Sequence, residues 1–134
     1  MRILITQTSV ALGAYQNQVS KELRLALVKA GLLAKQIILQ RTKSGQGVEG
    51  SFKAYSESYR KERERKGLPT NPDLFVTGAM LGAMQNRIKG NYAELYFISG
   101  EQNKKAFFNH QIRPFFDLND EEKQRIYKLF RFVK

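Results

Sequence analysis

Three glycines, Gly45, Gly47 and Gly50, have the G-x-G-x-x-G spacing of loops that cradle a phosphate. That chemistry requires a buried strand before the glycines and a helix directly after them, because the N–H groups of the first helical turn bind the pyrophosphate. LQRTKS before the loop is polar and basic, and SFKAYS after it contains two large aromatic side chains. No acidic residue stands in a second strand about 20 residues further on. The spacing therefore indicates a flexible, turn-rich loop rather than a nucleotide site.

The remaining residues with reactive side chains do not form a recognisable catalytic or metal-binding pattern. His110 is the only histidine and there is no cysteine, so a metal would need carboxylates from several separate elements. His110 and Asp117 could be drawn as part of a Ser-His-Asp arrangement, but no nucleophile elbow accompanies them. We expect no enzyme activity, no cofactor and no metal, and we expect His110 to make hydrogen bonds in a turn before IRPFF.

The length of 134 residues predicts a single domain over residues 1–134. The formal net charge of +11 makes a negatively charged partner plausible, either an acidic protein neighbour or nucleic acid. No stretch approaches the roughly 18 apolar residues of a membrane span, and the N-terminal apolar run is too short for a signal peptide. We expect a soluble intracellular protein, or part of a particle assembled inside the cell, with no membrane contact.

Apolar residues from about Tyr15 to Leu39 recur with the spacing of one helical face. They are Val19, Leu23, Ala26, Leu27, Ala30, Leu33, Ala34, Ile37 and Ile38. Leu25, Val28 and Leu32 widen this stripe, which predicts a helix buried on more than one side. Gly31, in its interior, predicts a bend or a close helical contact.

Shorter elements follow a glycine-rich loop at about residues 42–53. SESYRKERERKG predicts a helix that is capped by Ser56 and mostly solvated, with Tyr59 as its single large apolar residue. Thr77 is a candidate N-cap for a short helix presenting Met80, Leu81 and Met84. RIKGNYAELYFI predicts a hairpin, NKKAFFNH fits either a helix or a strand, and Asn119 or Asp120 should cap a last helix. Together these patterns predict an α+β fold, a long N-terminal helix packed on a small antiparallel sheet with short additional helices.

Four aromatic residues, Phe107, Phe108, Phe115 and Phe116, surround Arg113. Such a cluster could stack nucleic-acid bases, but phenylalanine pairs on both sides of a proline are more typical of a packed core. We therefore expect all four to be core residues.

Several separated stretches, taken in order, resemble one family. They are RTKSGQGVEGSFKAYSESYRKERERKG, DLFVTGAMLGAM and, after a strand, AFFNHQIRPFFDLNDEEKQRI. Their order over roughly residues 20 to 130 is similar to that of the tailed-phage virion-morphogenesis or tail-completion proteins, related to the Mu-type G protein family. Family members often have a glycine and a loop after the HQ dipeptide, whereas here NHQ continues directly into IRPFF.

The resemblance implies which residues contact neighbouring subunits and which form a structural motif. The loop and its anchors, expected to contact neighbouring subunits, are Arg41, Gly47, Gly50, Phe52, Tyr55 and Tyr59, with Ser56 also matching. The structural motif is formed by Leu74, Thr77, Gly78, Met80, Leu81, Arg113, Pro114, Phe115 and Phe116.

The function that the resemblance implies is structural. Such a protein forms a homo-oligomeric ring at the neck or the head-proximal end of the tail, and joins phage connector or portal-adaptor proteins to tail proteins without catalysis. It would belong to the virion and assemble in the cytoplasm of the bacterial host, with its positive charge facing an acidic neighbour or the DNA in the channel. The alternative is a small basic nucleic-acid-binding protein.

Overall fold

The longest element of the fold is a helix of 31 residues, α1 (Gly13–Lys43). The computed structural model describes residues 2–4, 13–74, 78–90 and 92–130, with side chains described from residue 21 onward. Helix α1 continues one turn beyond the predicted end at Leu39, because Thr42 is buried in that turn and Arg41 binds across to a distant segment. The other elements are β1 (Arg2–Leu4), β2 (Gln46–Gly47), β3 (Gly50–Ser51), α2 (Glu57–Arg65), α3 (Ala79–Gly82), β4 (Met84–Lys89), β5 (Tyr92–Phe97), α4 (Gly100–Ile112), α5 (Asp120–Tyr127) and a final 3-10 turn (Lys128–Phe130).

The main sheet has three antiparallel strands in the order β1-β5-β4, and α1 packs on one of its faces. Alternation along β5 buries Ala93, Leu95 and Phe97 on the core side. The other face is polar, with Arg87 Nε 2.9 Å from Glu94 Oε2 across the β4–β5 pair. The hairpin and the predicted α+β architecture are confirmed.

Gly31 lets α1 approach the sheet closely. A Cβ at this position would lie 3.2 Å from Asn86 Nδ2 and 3.5 Å from Ala93 Cβ. The sequence left open a bend or a close helical contact at Gly31, and the structure shows a close contact that is made with the sheet rather than with another helix.

The predicted helix caps are present at α2 and α5. The Ser56 hydroxyl accepts a hydrogen bond from Tyr59 N at 3.3 Å. Asn119 and Glu122 form a reciprocal capping box, each side chain accepting from the backbone N–H of the other at 2.9 Å. Both helices therefore begin where polar side chains can satisfy their first N–H groups.

The structure differs from two predictions about the shorter elements and decides a third that was left open between helix and strand. Thr77, the candidate N-cap of α3, lies outside the described residues, and Gly78 with φ +83° occupies the cap position. Met84 is the first residue of β4 rather than part of the short helix. The NKKAFFNH stretch lies in α4, whose start is capped by the Ser99 hydroxyl.

The aromatic cluster divides between core and surface. Phe115 is fully buried and Phe116 packs against the core, with both rings beside Phe97. The prediction was wrong for Phe107 and Phe108, which are exposed on α4. One face of α4 therefore presents large apolar side chains to the outside. Leu25 and Leu32 on α1 are exposed as well. These two residues, which widen the apolar stripe of the helix, are therefore not buried within the chain.

No helix among the described residues combines the length and apolar character needed to cross a membrane.

Replacing the buried and the exposed phenylalanine separately tests this division. Phe115→Ala should lower the free energy of unfolding by about 3–5 kcal/mol, because it removes a ring that is 0% exposed. Phe108→Ala, at a position 62% exposed, should change it by less than about 0.5 kcal/mol. Urea denaturation of both variants measures the difference, and equal losses would contradict this placement of the two rings.

Candidate functional site

Arg41, in the last turn of α1, joins this helix to the segment before α5. Its Nη2 donates to the carbonyl oxygens of Phe115, at 2.7 Å, and of Asp117, while its Nη1 donates to Glu122 Oε1. The Arg41 and Glu122 side chains are both largely buried. Since Glu122 also caps α5, one guanidinium group holds the end of α1, the segment of residues 115–117 and the start of α5 together.

The glycine loop forms a short hairpin of β2 and β3 that lies against the same segment. Val48 N donates to the Pro114 carbonyl at 2.8 Å. Gly47 is buried there, and a Cβ would overlap both the Pro114 carbonyl oxygen and the Phe52 ring. Gly50 adopts φ +110°, a conformation that favours glycine. Gly47 is therefore explained by close packing and Gly50 by its backbone conformation. Neither explanation involves phosphate binding.

Arg113 fixes the chain after the hairpin. Its Nε donates to the Lys53 carbonyl at 2.7 Å and its Nη2 donates to the Ala54 carbonyl at 3.1 Å. The guanidinium carbon lies 4.7 Å from the centre of the Tyr55 ring. Arg113 therefore links the end of α4 to the strand-like segment that leads into α2.

Arg63 is the buried side chain through which α2 packs against the rest of the chain, although it lies in a run of charged residues. It is 1% exposed, its Nη2 is 3.0 Å from Asp73 Oδ1, and its Nε donates to the Pro69 carbonyl at 2.7 Å. Its guanidinium group also lies over the rings of Tyr55 and Tyr59. The expectation that this helix is mostly solvated is wrong for this position, because Arg63 lies on the same helical face as Tyr59, one turn later.

Phe52, Tyr55 and Tyr59 contact their own chain. Phe52 packs against the core, and the Tyr55 hydroxyl accepts a hydrogen bond from Leu74 N at 3.3 Å. Leu74 has φ +56°, which is unusual for a residue with a side chain, and this bond helps to hold it. The Tyr59 ring meets the Tyr55 ring edge-on with centroids 4.9 Å apart. These three aromatic residues therefore fix the loop and α2 within the chain.

The remaining motif residues lie around the same centre. Met80 and Leu81 of α3 and Phe115 are buried in the core, next to the start of β4. His110 lies in the last turn of α4, where its Nδ1 accepts from Phe115 N at 3.3 Å and from Phe116 N at 3.1 Å. The expected hydrogen bonding of His110 is confirmed, although the residue is helical.

His110 and Asp117 do not form the pair that a Ser-His-Asp arrangement needs. Asp117 Oδ1 accepts from Leu118 N at 2.7 Å, while His110 Nδ1 is occupied by the two backbone N–H groups. Within the described part of the chain, no three His, Cys, Asp or Glu side chains are grouped so that they could hold a metal ion.

Two surfaces remain open around this centre. The first, the basic groove, has a volume of about 860 Å³ and runs between residues 53–59, α3 and α4. Its cations are Lys53, Lys105 and Arg113, and none of the described residues that line it is acidic. The second, the aromatic face, is formed by Phe107 and Phe108 of α4. The lining of the groove includes the motif residues Tyr55, Tyr59 and Arg113, so part of the motif borders a surface that is open to a partner.

The roles of Glu122 and Arg63 were not found by sequence reasoning. The spacing of Asn119 and Glu122 matches a capping box, so the position of Glu122 could have been found. The burial of Arg63 has a weaker signal in its position one turn after Tyr59.

Comparison of the chain with known proteins gives no relative. No protein-family model matches it, and no curated protein or solved structure shows significant similarity. Its function is therefore inferred from the described residues and from the resemblance of the separated motifs.

Alanine at Gly47 tests whether the hairpin is fixed against Pro114. We expect Gly47→Ala to lower the free energy of unfolding by about 2 kcal/mol or more, because the added methyl group would overlap a backbone oxygen. Gly100→Ala is the matched control, since nothing lies within 4 Å of a Cβ at the first position of α4. Thermal or urea unfolding compares the two, and equal stabilities would show that the hairpin is not held there.

Proposed function

We propose that the protein is a structural component of a tailed-phage virion, located at the neck or the head-proximal end of the tail. It assembles with copies of itself into a ring and joins the tail to connector or portal-adaptor proteins, without catalysis. The protein is part of the virion and assembles in the cytoplasm of the bacterial host.

The observation that carries this proposal is the convergence of the family-like stretches. Arg41 and Gly47 come from one stretch and Pro114 and Phe115 from another more than 60 residues away, yet they are in direct contact. Leu74, from the middle stretch, donates a hydrogen bond from its backbone N–H to the Tyr55 hydroxyl. Residues that resemble one family in order along the chain thus also form one packed unit, which supports a common origin for the pattern.

The surface of the chain suits repeated contacts between subunits. Large apolar side chains are exposed on α1 and α4: Leu25, Leu32, Phe107, Phe108 and Ile112. Exposed apolar side chains grouped in this way are typical of interaction surfaces. A protein that acts by assembly needs such surfaces more than it needs an enclosed reactive site.

The nucleic-acid-binding alternative is favoured by the charge of +11 and by the three cations that line the basic groove. Its signature would be an affinity for DNA that falls steeply with salt concentration. The Tyr55 ring, however, already carries the Arg63 and Arg113 guanidinium groups at 5.0 and 4.7 Å from its centre. A base would have to displace one of them to stack there.

Electron microscopy of phage lysates tests the structural role. A stop codon early in this gene should give DNA-filled heads beside separate or aberrant tails, because the joining component is missing. A synonymous change at the same codon is the control, and the gene supplied from a plasmid should restore complete particles. Complete, normal particles from the stop-codon phage would contradict the proposal.

A further inference from the structure

The basic groove is built for an acidic occupant. Lys53, Arg113 and Lys105 of α4 line it together with apolar side chains that include Leu74 and Met80. Its volume of about 860 Å³ is within the range in which proteins enclose ligands or anchor side chains. A groove lined by cations favours a partner that brings carboxylates.

The positively charged side chains of the groove can still bind a carboxylate. Lys53 makes no ion pair with any described residue. Lys105 is paired only with Glu101 on its own helix, in an exposed contact of 3.3 Å that contributes little stability. Arg113 uses Nε and Nη2 for two carbonyls, and no described residue accepts from its Nη1. A guanidinium group has five N–H donors, so a carboxylate can still bind.

The same chain has a concentration of exposed acidic side chains at the start of α5. Asp117, Asp120 and Glu121 are exposed there, and none of them forms an ion pair with a described residue. The fourth acid, Glu122, is held by Arg41 and by the capping box. Because these contacts fix the start of α5, its three exposed carboxylates are presented with little further ordering cost on binding.

We propose that copies of the protein associate head to tail, with the acidic start of α5 (Asp117, Asp120 and Glu121) of one copy seated in the basic groove of the next. The two surfaces are different parts of the chain, so the contact is heterologous and generates a ring when the rotation between copies closes. This inference rests on the proposed assembly function and names the surfaces that carry it.

The charge pattern favours a second copy over nucleic acid as occupant. The acidic start of α5 complements the groove in a chain whose net charge is otherwise strongly positive. The Tyr55 ring in the groove is already covered by two guanidinium groups, which disfavours stacking of a base there. A contact dominated by exposed charges weakens with salt, because the Debye length falls from about 30 Å at 0.01 M to about 3 Å at 1 M.

Charge reversal on each surface tests the pairing. The groove variant is Lys53→Glu with Lys105→Glu, and the helix-start variant is Asp120→Lys with Glu121→Lys. Sedimentation velocity at about 50 mM salt should show self-association of the wild type, and each variant alone should associate at least about tenfold more weakly, because like charges then meet. An equimolar mixture of the two variants should associate again, since each acidic surface then finds a basic one.

Two controls keep the result specific. Lys61→Glu with Lys66→Glu on the exposed face of α2 makes the same change in net charge as the groove variant, and it should associate like the wild type. If lysine at the start of α5 unfolds the helix, Asp120→Asn with Glu121→Gln removes the charge and keeps the helix start. Circular dichroism of every variant checks folding.

Restored association in the mixture supports the proposal. It is overturned if the wild type stays monomeric, if either reversal leaves association unchanged, or if the mixture fails to associate. The stop-codon experiment is independent of these outcomes, since normal particles from that phage would remove the virion role while a rescued head-to-tail contact would still stand.

Discussion

The Arg41 guanidinium group is the contact on which the arrangement of the remaining elements depends. It lies at the end of the longest helix and binds two backbone carbonyls and the carboxylate that caps α5. Residues 115–117 belong to no helix or strand, so these hydrogen bonds satisfy carbonyl groups that have no partner in regular secondary structure. Because Arg41 and Glu122 are both largely buried, loss of either would leave a charge without its partner inside the protein.

Several motif residues act within the chain. Arg41, Gly47 and Arg113 bind or pack there, so their residue types are explained by the fold. Other side chains of the same family-like stretches lie at the surface: Lys53 lines the basic groove together with Arg113, and Phe107 and Phe108 form the aromatic face. A pattern that resembles a family can therefore mark both the scaffold and the exposed residues around it.

The sequence predicts the fold well where a local rule decides the outcome. The helical spacing of α1, the caps at Ser56 and Asn119 and the β4–β5 hairpin follow from periodicity and turn chemistry. The end of α1, the burial of Arg63 and the exposure of Phe108 depend on contacts between residues far apart in the chain. An arginine in a charge run is indistinguishable from a solvated one until Asp73 and Tyr55 are placed around it.

A double-mutant cycle on Arg41 and Glu122 tests the central contact most directly. The free energy of unfolding is measured for the wild type, Arg41→Met, Glu122→Gln and the combined variant by urea denaturation. A joining contact should give a coupling energy of about 2 kcal/mol, because each single change leaves the other charge buried without its partner. Effects that add to within about 0.5 kcal/mol would contradict the role of this pair in holding α1 to α5.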